Sequence, residues 1–150
     1  MYAAVLVVHS WLRWVVLIAG LVAWARSAFG GGAWTRADDR AGFWFVTALD
    51  LQLLIGLLLY FLLSPYTAAA MHDFGGAMKD PTLRYWAVEH AFGMIIGIAL
   101  AHVGRARARR GDERGRHRTV TIFFGLALLA IAVSVPWPGS ASHGRPLLRW

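Results

Sequence analysis

Two histidines stand inside strongly apolar sequence, His9 in "VVHSWLRWVVLIAG" and His90 in "VEHAFGMIIG". A neutral imidazole ligates a metal through one ring nitrogen while a hydrogen bond holds the other. Two such rings across one gap would supply both axial ligands of a heme iron, for which histidine is a common choice. Arg13 follows His9 by four residues and shares its helix face. Gly93 and Gly97 lie three and seven residues after His90, again on one face. Glycine there removes bulk and would let a flat macrocycle approach the backbone. The same two residues form a G-x-x-x-G pair, which serves helix packing equally well.

Other polar groups invite weaker readings. Glu89 adjoins His90, but adjacent helix residues diverge by about 100°. It is expected to pair with Arg84 or Lys79, the sharper reading being a proton acceptor beside a quinol site. His102 lies twelve residues after His90, about 18 Å further along the same helix. A second heme would need it to pair with His117, because "GLVAWAR" in the first helix offers no second histidine. One heme is therefore expected, with His102 hydrogen-bonded locally. His72 in "MHDFGG" has Met71 and Asp73 beside it, a soft-metal grouping, yet a loop histidine is expected to be solvated. His143 carries no signal. Without cysteine, disulfides, thiolate metal sites and a C-x-x-C-H heme attachment are excluded. No nucleophile–base pair, phosphate loop or zinc signature supports hydrolytic or phosphoryl-transfer chemistry. Whether the chain is an enzyme stays open.

The elements that must position these groups are membrane helices. Of 150 residues, 58% are apolar and eight are tryptophan, too apolar for a soluble domain of this size. Four runs explain the excess: Ala3–Ala25, Gly42–Ser64, Tyr85–Val103 and Val120–Val135. Each is near the ~20 residues a membrane helix needs. We therefore expect a single membrane domain over residues 1–150. No basic residue precedes the first run and arginines follow it, the wrong polarity for a cleaved signal. "FGGGAW", "LSPY" and "VPWPGS" are helix-stopping signals, and "KDPTLRYW" opens the third helix with Asp80 as N-cap and Pro81 behind it. Trp11, Trp24, Trp44, Trp86 and Trp137 fall near the predicted interfaces.

The net charge of +7 is nearly all arginine, concentrated in "RARARRGDERGRHR" and between Arg26 and Arg40. No groove-reading motif accompanies it, so nucleic acid is not the expected partner. Membrane topology explains it better. The connection between the second and third helices is balanced, and the tail has only Arg145 and Arg149. The positive-inside rule then puts the first and third connections in the cytoplasm and both termini in the periplasm. This assumes a bacterial chain, as a multi-pass protein of the inner membrane. Short loops favour an all-α, up-down-up-down four-helix bundle.

In that frame His9 lies about six residues into the first helix and His90 about five into the third, roughly 8–10 Å below the same edge. Arg13 is near the midplane. Asp50, about eight residues into the second helix from the other side, reaches nearly its depth. A buried Arg13–Asp50 pair is the expected arrangement, because either charge alone would be costly. Functionally, Arg13 could tune a heme potential or touch a quinone headgroup. Gln52, two residues on from Asp50, points to another face.

The stretches "HSWLRW", "ALDLQLLIGLLLYF", "RYWAVEHAFGMIIGIALAHVGR" and "VPWPGSASHGRP" resemble a family of short four-helix bacterial membrane proteins labelled cytochrome-b-like. The resemblance covers most of the chain. It implies a heme-binding electron-transfer role, carried here onto His9 and His90 alone. The four matched helix histidines of two-heme membrane cytochromes are missing, so a membrane-crossing electron path is not expected. Copper-transport four-helix domains are a more distant analogy, opposed by the lack of Met- or Cys-rich patches.

The expected protein holds one b-type heme between His9 and His90. Gly93 and Gly97 would admit the ring, and Arg13 with Asp50 would form a polar floor. Electron exchange would run between quinone and a carrier near the periplasmic surface. The alternative is a cofactor-free accessory subunit of a larger respiratory or photosynthetic complex, packing on partner helices, lipids or a second copy. A small quinone-binding enzyme using Glu89 and Arg13 is a third reading.

Overall fold

Four helices long and apolar enough to cross a membrane dominate the chain. The computed structural model describes residues 1–148, apart from the side chains of Glu113 and Arg114. Arg149, one of the two tail arginines, lies outside the described residues. Helix α1 spans Tyr2–Ala28 and α2 spans Arg36–Leu58, continuing through a π-helical turn at Leu59–Leu63. Short helices α3 (Pro65–His72), α4 (Phe74–Ala77) and α5 (Pro81–Arg84) follow. A second π-turn, Tyr85–Glu89, leads into α6 (His90–Arg110), and α7 spans Glu113–Ser134. The described residues contain no strand.

These helices are longer than the apolar runs. The arginine-rich connection between α6 and α7 is almost wholly helical, because arginine and alanine are good helix formers, whereas the stretch 29–35 between α1 and α2 is not. Only Gly111 and Asp112 separate α6 from α7, and Asp112 starts α7 by accepting from the Gly115 amide at 2.9 Å. The segment between the second and third spans is likewise not a plain loop. Ser64, Asp73 and Asp80 each cap a short helix there. Asp80 receives the Thr82 and Leu83 amides, with Pro81 behind it, as the sequence indicates.

Helix α2 opens with a capping box. Thr35 Oγ1 accepts the Asp38 amide and the Asp38 carboxylate accepts the Thr35 amide at 2.9 Å. Asp38 also receives Arg26 Nε at 2.9 Å. A cation in the last turn of α1 and a carboxylate in the first turn of α2 suit both helix dipoles. This contact fixes the corner between the two helices.

Neighbouring helices run antiparallel. His9 and Arg26 on α1 face Gln52 and Asp38 on α2. Asp39 of α2 meets Arg105 of α6, and Tyr60 meets Ala87. Gly93 and Gly104 of α6 face Ser134 and Phe123 of α7. The result is an up-down-up-down bundle in which α1 and α6 run in parallel.

The tight core sits toward the arginine-bearing end. Phe45 and Phe124 are fully buried and pack edge to face, their ring centroids 5.0 Å apart. Leu49, Ala127, Ile131 and Val16 complete it. Gly20 allows α1 to approach, since a Cβ there would lie 2.6 Å from Phe45 Cε2. Large apolar side chains such as Ile18, Leu54, Phe61, Leu62, Phe92 and Val133 face outward, as contact with a lipid bilayer requires. The chain is an all-helical, multi-pass membrane protein.

Candidate functional site

Away from the phenylalanine core the helices part, and a cavity of about 370 Å³ opens among α1, α2, α6 and the end of α7. His9 and His90 both line it. Their ring centroids are 6.5 Å apart and the ring planes stand at 69°. The two rings, expected at equal depth, meet edge-on across the cavity.

Each histidine is held differently. His90 Nδ1 lies 2.8 Å from the Ser134 carbonyl oxygen. A carbonyl only accepts, so in the neutral ring Nδ1 carries the proton and Nε2 keeps the lone pair. Ser134 ends α7, and its carbonyl is free of an in-helix partner there. That carbonyl also accepts from Tyr85 Oη at 2.7 Å. The α7 terminus therefore fixes both Tyr85 and His90. His9 is held by packing: a Cβ on Gly56 would lie 3.3 Å from His9 Cε1. Gln52 Nε2 donates to the His9 carbonyl at 3.0 Å, tying α2 to α1 at this level.

Three residues that line the cavity each carry a buried polar atom with no hydrogen-bond partner among the described residues: His9 Nδ1, Gln52 Oε1 and Trp86 Nε1. Each such atom costs roughly 1–3 kcal/mol if nothing satisfies it. The rest of the wall is apolar, including Met94, Ile98 and Ile131. Exposed Leu57, Phe61 and Ile95 also line it, so its mouth opens between α2 and α6 on the apolar outer face.

Both π-turns border this cavity. Tyr60 and Phe61 come from the first and Trp86 from the second. Tyr60 Oη donates to the Ala87 carbonyl at 2.8 Å and joins the two turns. A π-turn inserts a residue into the helix and re-aims the side chains around it, and such turns concentrate at functional sites.

Several sequence expectations need correction. Gly93 and Gly97 do not face the cavity. A Cβ on Gly93 would collide with Ser134, and one on Gly97 would lie 2.7 Å from Ile131 Cγ1 and 3.3 Å from the Ala127 carbonyl. They bring α6 against α7, the packing reading of G-x-x-x-G. Arg13 and Asp50 do not pair. Arg13 is buried and donates to the Leu147 carbonyl at 2.8 Å. Asp50 lies 2.8 Å from His102 Nε2, both side chains half exposed on the outer seam of α2 and α6. Depth alone suggested the pair, but Asp50 turns to α6 across the α2–α6 seam rather than to α1. His102 bonds locally, as expected, and His117 packs on Trp34 rather than near His102. Glu89 takes its expected partner, Arg84, at 2.7 Å on the surface.

The tail supplies what the sequence did not signal. His143 stacks on Tyr85 with centroids 3.6 Å apart and planes 5° from parallel. Arg145 lies over the rings of Tyr66 and Trp86 and lines the cavity. Trp14 Nε1 shares the Leu147 carbonyl with Arg13. The tail thus closes the histidine end of the bundle. Among the described residues no group of three or more histidine, aspartate, glutamate or cysteine side chains could hold a bare metal ion. Two imidazoles alone suit a metal whose other ligands come with it. No family model matches the chain, and no curated protein or solved structure is similar to it at a significant level.

Proposed function

We propose that this chain is a b-type heme protein in which His9 and His90 ligate one iron, and that it transfers electrons near the histidine end of the bundle. The facing rings carry this reading. Two metal–imidazole bonds of about 2 Å each, with ~1 Å from nitrogen to ring centre, span about 6 Å. The observed separation is 6.5 Å. The Ser134 carbonyl on His90 Nδ1 is the kind of outer partner that orients a ligating imidazole.

Heme when bound supplies reversible one-electron exchange. The remaining work belongs to the chain. Arg13 and Arg145 border the cavity, and guanidinium is the side chain best matched to carboxylates such as those heme carries. Met94, Ile98 and Ile131 make the cavity wall apolar and would exclude water from the bound group. The missing cysteines require attachment to be non-covalent. Under the positive-inside rule the arginine-bearing end is cytoplasmic. Both termini and the histidines then face the periplasm of a bacterial inner membrane. One heme near that surface suits exchange with a periplasmic carrier.

The apolar mouth between α2 and α6 favours a second reading, a quinone-type ligand entering from the bilayer, either as redox partner to the heme or in its place. Absorption spectra of the purified protein supplied with heme decide between them. The heme reading predicts a Soret band and a sharp α band on dithionite reduction. It predicts loss of the Soret band in His90→Ala at wild-type yield and loss or displacement in His9→Ala. Unchanged heme spectra in both variants overturn it, and a colourless wild-type protein that binds a quinone analogue assigns the cavity to quinone alone.

A further inference from the structure

A second cavity, of about 400 Å³, lies at the opposite end of the bundle among α2, α6 and α7. Arg36, Arg105, Arg109 and Arg116 line it, and among the described residues Asp39 is the only carboxylate on its wall. Arg105 answers that carboxylate. Its guanidinium donates to the Asp39 carbonyl at 2.9 Å and lies 3.5 Å from Oδ1, while its side chain is only 15% exposed. Arg116 Nε donates to the Gly111 carbonyl at 3.2 Å, which positions it without neutralising it. Arg36, Arg109 and Arg116 also line this concavity, and among the described residues no carboxylate pairs with them. Like charges gathered this way repel one another unless an anion joins them. The start of α2 adds its dipole in the same sense.

The floor beneath the arginines is apolar, formed by the buried side chains of Phe124, Val120 and Ala108. Planar guanidinium groups bind phosphate oxygens in pairs. Basic pockets between membrane helices at the cytoplasmic face take phospholipid headgroups. We infer that this cavity binds a phosphate-bearing anion, with its arginines on the phosphate oxygens. The inference is independent of heme or quinone at the other end.

The test uses full-length protein in an uncharged detergent. Native mass spectrometry measures retention of cardiolipin and phosphatidylglycerol against phosphatidylcholine. A parallel arm measures the thermal midpoint in sodium phosphate against sodium chloride at matched ionic strength. Preferential retention of the anionic lipids, by about tenfold, assigns the site to a lipid headgroup. Stabilisation by phosphate without lipid preference assigns it to a soluble phosphate anion. Either response should be lost in Arg109→Gln/Arg116→Gln and kept in Arg110→Gln/Arg118→Gln, which removes the same charge from exposed positions outside the cavity. Should the first pair fold poorly, Arg36→Gln alone is expected to weaken the response. No response in either arm, or equal loss in both double variants, overturns the inference.

Discussion

Gly56 helps set the geometry of His9. It leaves room for the imidazole where a Cβ would press to within 3.3 Å of Cε1. Gly56→Val is expected to turn the His9 ring off its axis toward His90. The heme bands should weaken or shift while helix content by circular dichroism stays unchanged; unaltered bands would show that the His9 position is not set from α2. Gly56 could not be singled out in the sequence, since nothing in "LLIGLLLYF" distinguishes a glycine facing a histidine from one facing lipid. His9 and His90 were legible because polar groups are rare and costly in apolar runs. Arg13 was legible as a buried cation for the same reason. Its contact with Leu147 was not, because Leu147 offers only a backbone carbonyl there, which no residue type announces.

At the scale of elements, α6 and α7 form one tightly packed pair through Gly93 and Gly97, and the cavity wall opposite is left to α1 and α2. Gly97→Leu would drive a side chain into Ile131 and the Ala127 carbonyl. Over-packing of this kind costs about 1–3 kcal/mol. The thermal midpoint should fall, while the fraction still folded keeps its heme at wild-type stoichiometry. Heme loss at an unchanged midpoint would return Gly97 to the cofactor cleft. The four spans could be read from hydropathy, but their ends could not. Arginine-rich connections look like loops to a hydropathy scan and yet are good helix formers. The π-turns at Leu59–Leu63 and Tyr85–Glu89 left no sequence mark either, although they bring Tyr60 and Trp86 to the cavity. A π-turn depends on packing around one inserted residue rather than on residue type.

For the whole molecule, the two ends of the bundle differ in kind. One gathers histidines, aromatic rings and the folded-back tail around an apolar-mouthed cavity. The other gathers arginines above the phenylalanine core. The positive-inside rule turns this asymmetry into an orientation. A fluorescent-protein fusion inserted at Gly111–Asp112 should be bright in the cytoplasm, and an alkaline phosphatase fusion after the tail should be active in the periplasm. The reverse pattern would invert the bundle and move the histidine pair to the cytoplasmic side. If His9 and His90 hold a heme, electron exchange is expected at the tail-covered end or through the α2–α6 mouth.

The central claim is that His9 and His90 share one iron, and low-temperature electron paramagnetic resonance of the ferric protein tests it most directly. Two imidazole ligands predict a low-spin ferric heme in the wild-type protein, converted to high spin or lost when either histidine is replaced by alanine. A high-spin wild-type spectrum, or a low-spin signal that survives in both single variants, would contradict it.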